Sequence, residues 1–189
     1  MNKRKFPIKK LDLVASKNSK GIKIKFGKKY IFVKSLNDYS FKDIDIVLSS
    51  AGSKVSKEFV PNATKSGSIV IDNTSTFRML KDVPLIVPEV NLNDLKKFKK
   101  KRIISNPNCS TIQMVTALKP LHDKFIIKRI VVSTYQSTSG AGKAAMDELF
   151  HQTLDVYRKN KIEPELFSKN IAFNVIPHID EFLKDGQTK

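Results

Sequence analysis

The stretch Ser105-Asn106-Pro107-Asn108-Cys109-Ser110-Thr111 holds the residues best suited to covalent chemistry. Ile103 and Ile104 before it read as a buried strand, and Ile112, Val115, Leu118, Leu121 and Phe125 after it keep one face of a helix apolar. Cys109 therefore falls in that helix's first turn or its cap. There the unpaired backbone N–H groups and the positive end of the macrodipole favour a thiolate, and the same N–H groups can stabilise an oxyanion on a carbonyl. On residue type alone, a lone cysteine is more often a small buried hydrophobe. Pro120 is expected to bend the helix or end it early.

The elements that must position this stretch are read from short apolar runs at 11–15, 44–48, 69–71, 85–87, 103–104 and 130–132, separated by polar, helix-like segments. That rhythm argues for parallel strands joined by crossovers, an α/β fold. A helix is expected where Val55, Phe59 and Ala63 repeat every four residues, ending at Gly67, although Pro61 weakens the pattern. The run at 44–48 empties into Ser49-Ser50-Ala51-Gly52, small residues at a strand's carboxyl end, where open α/β sheets bind ligands. After Phe150 the regular pattern fades.

The 189 residues are 40% apolar, enough for a sizeable core in one or two domains. Lys and Arg outnumber Asp and Glu by 35 to 18, a net charge of +17 that attracts nucleotides, nucleic acid or anionic substrates. The dense run Lys96, Lys97, Lys99, Lys100, Lys101 and Arg102 contains a single aromatic, Phe98, so it reads as a solvated face and not as a nucleic-acid site. No apolar stretch approaches the roughly 18 residues of a membrane span. One cysteine permits no intrachain disulfide, which fits a reducing cytoplasm.

Four segments in register resemble the aspartate-semialdehyde dehydrogenase family. They are Ile71-Asp72-Asn73-Thr74-Ser75-Thr76-Phe77-Arg78-Met79, Val87-Pro88-Glu89-Val90-Asn91, Asn106-Pro107-Asn108-Cys109-Ser110-Thr111, and Ser133-Thr134-Tyr135-Gln136-Ser137-Thr138-Ser139-Gly140-Ala141-Gly142. The resemblance implies a partial Rossmann-type domain over 1–107 and the start of an α+β catalytic and dimerisation domain over 108–189. It implies a cytoplasmic homodimer that interconverts L-aspartate 4-semialdehyde, phosphate and NADP with 4-phospho-aspartate and NADPH, feeding lysine, diaminopimelate, methionine and threonine synthesis. Cys109 would be the nucleophile, forming a thioester that phosphate cleaves. Such covalent catalysis conserves the energy of oxidation. Arg78 would bind phosphate through its planar fork, Gln136 would orient the aldehyde, and Asn108 would help hold substrate or phosphate. Cofactor contacts would come from Ser139 and Gly140, from Ser50, Ala51 and Gly52, and from Asn18 and Ser19 at the adenosine 2′-phosphate. No acidic residue follows Val14-Ala15-Ser16, while Lys17 and Lys20 are near, which favours NADP over NAD. No metal is implied.

The family's glycine-rich phosphate loop is missing, as are its acid/base histidine and substrate-carboxylate arginine. His122, His151 and His178 fall outside any such motif. The sequence therefore reads as an incomplete copy, expected to be inert and a poor NADP binder by itself. The alternatives are an inactive truncated product with structural or dimerising capacity, and the related N-acetyl-γ-glutamyl-phosphate reductase.

Overall fold

The computed structural model describes residues 1–179 and 182–187. The chain forms two compact units, Met1–Lys128 and Arg129–Lys189.

In the first unit, β1 (Leu13–Ala15) pairs parallel with β3 (Lys29–Ser35), and β2 (Lys23–Phe26) pairs antiparallel with β3 across a tight turn. Gly27 takes φ 61 in that turn, a conformation that costs glycine little. This hairpin is absent from the expected strands. Its signal was the alternation Lys23-Ile24-Lys25-Phe26, whose apolar members are too few to stand out as a run.

A second sheet is wholly parallel, in the order β4 (Ile46–Ser49), β5 (Ile69–Asp72) and β6 (Ile103–Ser105). Parallel neighbours need a crossover, and α1 (Ser53–Lys65) supplies it between β4 and β5. Val60 and Ala63 of α1 are fully buried in a cluster with Phe41, Val70, Phe77, Val83 and Ile103. Each buried Val or Phe there contributes about 1.5–3 kcal/mol over its exposed state. The fold is thus α/β with a Rossmann-like parallel sheet.

After β5 the chain passes through α2 (Pro88–Asn91) and a 3₁₀ segment, Leu92–Lys100, before β6. The lysine run is exposed and carries ion pairs from Lys97 to Asp94 and from Lys100 to Asp82. The proline that weakened the first helix pattern lies within that helix, and the second does not end its helix early. Pro61 lies inside α1, and Pro120 lies inside α3 (Cys109–Phe125). Each is exposed, and the residues four positions earlier, Lys57 and Thr116, are exposed as well, so the carbonyl that loses its N–H partner can be hydrated.

The expected strand at 85–87 reduces to a single bridge from Leu85 to Ser105. Pro84 and Pro88 bracket it, and neither can donate to a ladder. The expected strand at 130–132 makes no pairing among the described residues, and Val131 is 82% exposed. β-Branched residues do not hold an extended chain in a sheet without a partner strand.

In the second unit, α4 (Lys143–Arg158) runs past Phe150, where the sequence pattern fades. Its buried stripe is Ala145, Glu148 and Gln152, two of them polar, so an apolar period cannot reveal it.

Candidate functional site

The parallel sheet brings three strand ends into one row, with Ser49 opposite Asp72 and Asp72 opposite Ser105. The loops that leave this row carry most of the expected site residues of the first unit.

Ser50, Ala51 and Gly52 leave β4 as an exposed turn, and Gly52 caps α1 at φ 84 and ψ 156. A side chain at that backbone conformation is strained, although a Cβ there would meet nothing within 4 Å. The space above the turn is therefore open to a ligand approaching the backbone and the first turn of α1. Asn18 and Ser19 lie in a 3₁₀ turn, Lys17–Ser19, that follows β1. Lys17 and Asn18 are exposed.

Arg78 follows Phe77, which is sunk in the core and so fixes where the guanidinium begins. Its Nε donates to the carbonyl of Asn106 at 2.8 Å and its Nη2 to that of Asn73 at 3.1 Å. Part of the expected phosphate fork is thus committed to backbone, joining the loop after β5 to the loop after β6. A guanidinium has five N–H groups, so three remain for an anion.

The loop after β6 is held by the amide of Asn106, which donates to the Asp72 carbonyl at 2.9 Å, and by buried Pro107. Asn108 is the N-cap of α3. Its Oδ1 accepts from the Ser110 amide at 2.9 Å, and its carbonyl accepts from Ile112. Cys109 is the first residue of the helix and is an exposed free thiol. The Cys109 Sγ lies 4.0 Å from Asn108 Oδ1. A 17-residue helix presents its positive end to that sulfur, together with first-turn amides that have no intrahelical partner.

The second unit holds the other expected residues. Ser139 and Gly140 sit in the turn Thr138–Ala141, where Ser137 Oγ accepts from the Ser139 amide. Gln136 lines an open groove with Thr138, Leu149, Phe173, Asn174 and Val175. The far wall of that groove is fastened by α4. Glu148 accepts from the amides of Glu165 and Leu166 at 3.1 and 2.8 Å, and Gln152 Oε1 accepts from those of Ile171 and Ala172 at 2.7 and 3.2 Å. Sequence reasoning missed both residues, because a buried Glu or Gln on a helix looks like a solvent-facing one until its partners are known.

The histidines fall elsewhere. His122 is in the last turn of α3, His151 lies edge-on to Phe150, and His178 stacks on Phe182 at 4.4 Å. Among the described residues no group of His, Cys, Asp or Glu could hold a metal ion, and no helix is long and apolar enough to cross a membrane.

Comparison with known proteins gives two family matches, the semialdehyde dehydrogenase NAD-binding domain over residues 1–98 and the semialdehyde dehydrogenase dimerisation domain over residues 118–189. The aspartate-semialdehyde dehydrogenase of Rickettsia typhi is 55% identical over 185 residues, covering 98% of this chain and 55% of the relative. That of Aquifex aeolicus is 54% identical over 192 residues, covering 100% of this chain and 56% of the relative. Among solved structures, aspartate semialdehyde dehydrogenase II from Vibrio cholerae, complexed with ASA, superposes with a TM-score of 0.91 at 46% identity, over 100% of this chain and 56% of that one. The chain thus spans little more than half the length of the relatives it matches.

Proposed function

The chain belongs to the semialdehyde dehydrogenase family, and from that premise we propose that it is the cofactor-binding and nucleophile-bearing part of an NADP-dependent, phosphorylating aspartate-semialdehyde dehydrogenase. The observation that carries this reading is the exposed Cys109 thiol at the first position of α3, after a loop that Arg78 ties to the loop following β5.

In this reading the nucleotide-binding part ends near Pro107, and the catalytic and dimerising part begins with the cap of α3. Cys109 attacks the aldehyde carbon, and the first-turn amides of α3 not taken by the Asn108 cap receive the oxyanion that forms. NADP, held at the turn 50–52, would supply the hydride acceptor. Cys109 then holds the acyl group as a thioester, and phosphate, gripped by the remaining N–H groups of Arg78, cleaves it to the acyl phosphate. Gln136 orients the substrate without adding charge. The open turn at Ser50, Ala51 and Gly52, with Asn18 and Ser19, suits the cofactor, because small residues let backbone approach a phosphate or ribose. No acidic side chain stands in the turn after β1 to repel a 2′-phosphate. The product would serve synthesis of lysine, diaminopimelate, methionine and threonine, in a cytoplasmic homodimer.

The half-reaction with the acyl phosphate needs no nicotinamide and so tests the chain directly. Although the chain alone is expected to be inert in the full reaction, incubation with 4-phospho-aspartate is expected to leave a hydroxylamine-sensitive acyl adduct on Cys109, read by mass spectrometry of the peptide. Absence of the adduct, or an equal adduct on a Cys109→Ser chain, would sink the assignment.

A further inference from the structure

Asp72 ends the central strand of the parallel sheet and is completely buried. Burying a carboxylate is costly unless donors replace its water. Among the described residues no Lys or Arg pairs with it. Hydroxyls do instead. Ser56 Oγ donates to Oδ1 at 2.9 Å and Thr74 Oγ1 to Oδ2 at 2.6 Å.

Each hydroxyl has one proton, which fixes the direction of every bond. The Ser56 proton goes to Asp72, so Ser49, at 2.8 Å from Ser56 Oγ, must donate to Ser56. The Thr76 proton goes to the Ser53 carbonyl at 2.9 Å, so Thr76 Oγ1, 3.1 Å from Thr74 Oγ1, has acceptor capacity to spare. The protons of Ser49, Ser56 and Thr74 thus all run toward one carboxylate. The residues they lace together are the end of β4, the first turn of α1 and the loop after β5. These are the pieces that carry the turn 50–52 and lead into Arg78. A wholly apolar set in place of Ser49, Ser56, Asp72 and Thr74 would avoid the desolvation cost of a carboxylate, so stability alone does not call for one there.

We propose that Asp72 is a positioning residue, whose serine and threonine partners lock the turn 50–52 and the loop 73–78 in the one arrangement that presents both to phosphate-bearing ligands. The inference rests on the NADP and phosphate roles given above to Gly52 and Arg78.

The test uses the 189-residue chain, with backbone amide exchange and amide NMR shifts as readouts. In Asp72→Asn the new Nδ2 can donate to Thr74 only if Thr74 turns its proton to Thr76, so the lock is rewired and weakened. The amides of Asn73 and Thr76, which donate to the Ser49 carbonyl and to Thr74 Oγ1, are expected to exchange about tenfold faster and those at 50–53 to shift, while those of Val60, Val70 and Ile103 keep their protection. Adding Thr76→Val removes the alternative acceptor, and the two changes are expected to be non-additive. Thr74→Val is expected to loosen the same amides and Thr74→Ser to restore them, which keeps the test available if Asp72→Asn does not fold. The parent chain is expected to bind NADP only weakly, so the cofactor is added at high concentration; it is expected to shift the amides at 50–52 and to bind about tenfold more weakly to Asp72→Asn, a loss of about 1.4 kcal/mol. Thr74→Ser is expected to bind NADP as the parent does. Uniform loosening of the sheet, no loosening at all, or failure of Thr74→Ser to restore the loops would overturn the proposal. If the parent chain shows no NADP response, the cofactor reading fails for it, while the exchange contrast still decides the role of Asp72.

Discussion

Replacing Arg78 by Lys keeps the charge and removes the geometry, which makes it the sharpest test of how the site is assembled. Arg78 joins two loops through charged N–H donors to the Asn106 and Asn73 carbonyls, at 2.8 and 3.1 Å. Bonds from charged donors contribute about 1.5–3 kcal/mol each when sheltered, and less when water reaches them. The Asn73 bond is exposed and the Asn106 bond only half-buried. An ammonium can serve one carbonyl at a time, so the expected net loss is about 1–2 kcal/mol. For a chain of this size each kcal/mol moves the midpoint by about 2–4 °C, giving a fall of about 2–8 °C in the thermal transition of the first unit. Loss of the fork is also expected to weaken phosphate binding about tenfold. Phosphate protection of Cys109 against iodoacetamide reads that affinity without requiring turnover. An unchanged midpoint together with an unchanged phosphate dependence would refute the reasoning on both counts. A lower midpoint with unchanged protection would leave Arg78 a structural clamp and remove it from the anion site.

Cys109→Ser is expected to abolish acyl-adduct formation while shifting stability by no more than about 0.5 kcal/mol, because the thiol is exposed; a urea titration beside the mass measurement checks both. Tyr39 donates to Asp12 at 2.8 Å, and its hydroxyl is pushed up to about 12, first by burial and then by Asp12. Its stabilising contribution is therefore complete below the unfolded value of about 10 and is lost as pH rises toward the folded one, so Tyr39→Phe is expected to flatten the alkaline limb of urea midpoints between those values. Burial pushes the Asp12 carboxyl up, but hydrogen bonds from Lys34 and Tyr39 and the charges of Lys34 and Lys10 outweigh it and hold the group low. The Asp12 contribution is present above about pH 3.9 and lost as pH falls through the lowered value, so Asp12→Asn is expected to flatten the acid limb. Glu148→Ala strands the Gln152 amide and the backbone N–H groups of Glu165 and Leu166, and is expected to destabilise the second unit by about 3 kcal/mol and to speed amide exchange over 165–172; normal exchange there would show that α4 does not fasten the loop.

Where a single physical pattern dominates, the sequence was sufficient. The apolar runs at 44–48, 69–71 and 103–104 became β4, β5 and β6, since parallel strands read as near-continuous apolar runs, although Ile46 and Leu48 of β4 are exposed. The repeat of Val55, Phe59 and Ala63 found α1 for the same reason. The pattern misled where a strand depends on a neighbour that sequence spacing does not supply. The run at 130–132 has strand composition and no partner among the described residues, and the hairpin of β2 and β3 has partners but little apolar signal.

The places of the candidate residues in the fold were legible, and their connections were not. Cys109 at a helix start follows from an apolar strand, a turn of Asn and Pro, and a periodic helix, all local in the chain. Asn108 belongs to the same local logic, since an Asn just before a helix is suited to accept from the second amide of the first turn. Arg78 is different. Its type suggested an anion, yet two of its N–H groups bind carbonyls 5 and 28 positions away, a division of labour that no periodicity encodes. The Asp72 network is more hidden still. Ser49, Ser56, Asp72 and Thr74 are ordinary polar residues in the sequence, and each alone reads as a loop or a helix surface. Only the parallel register, which sets Ser49 against Asp72 and brings α1 back over both, turns four unremarkable side chains into a buried set of directed bonds. Apolar patterning reveals a fold because burial is scalar and periodic, whereas a polar site depends on which donor meets which acceptor. That pairing is fixed by topology before it is visible in composition.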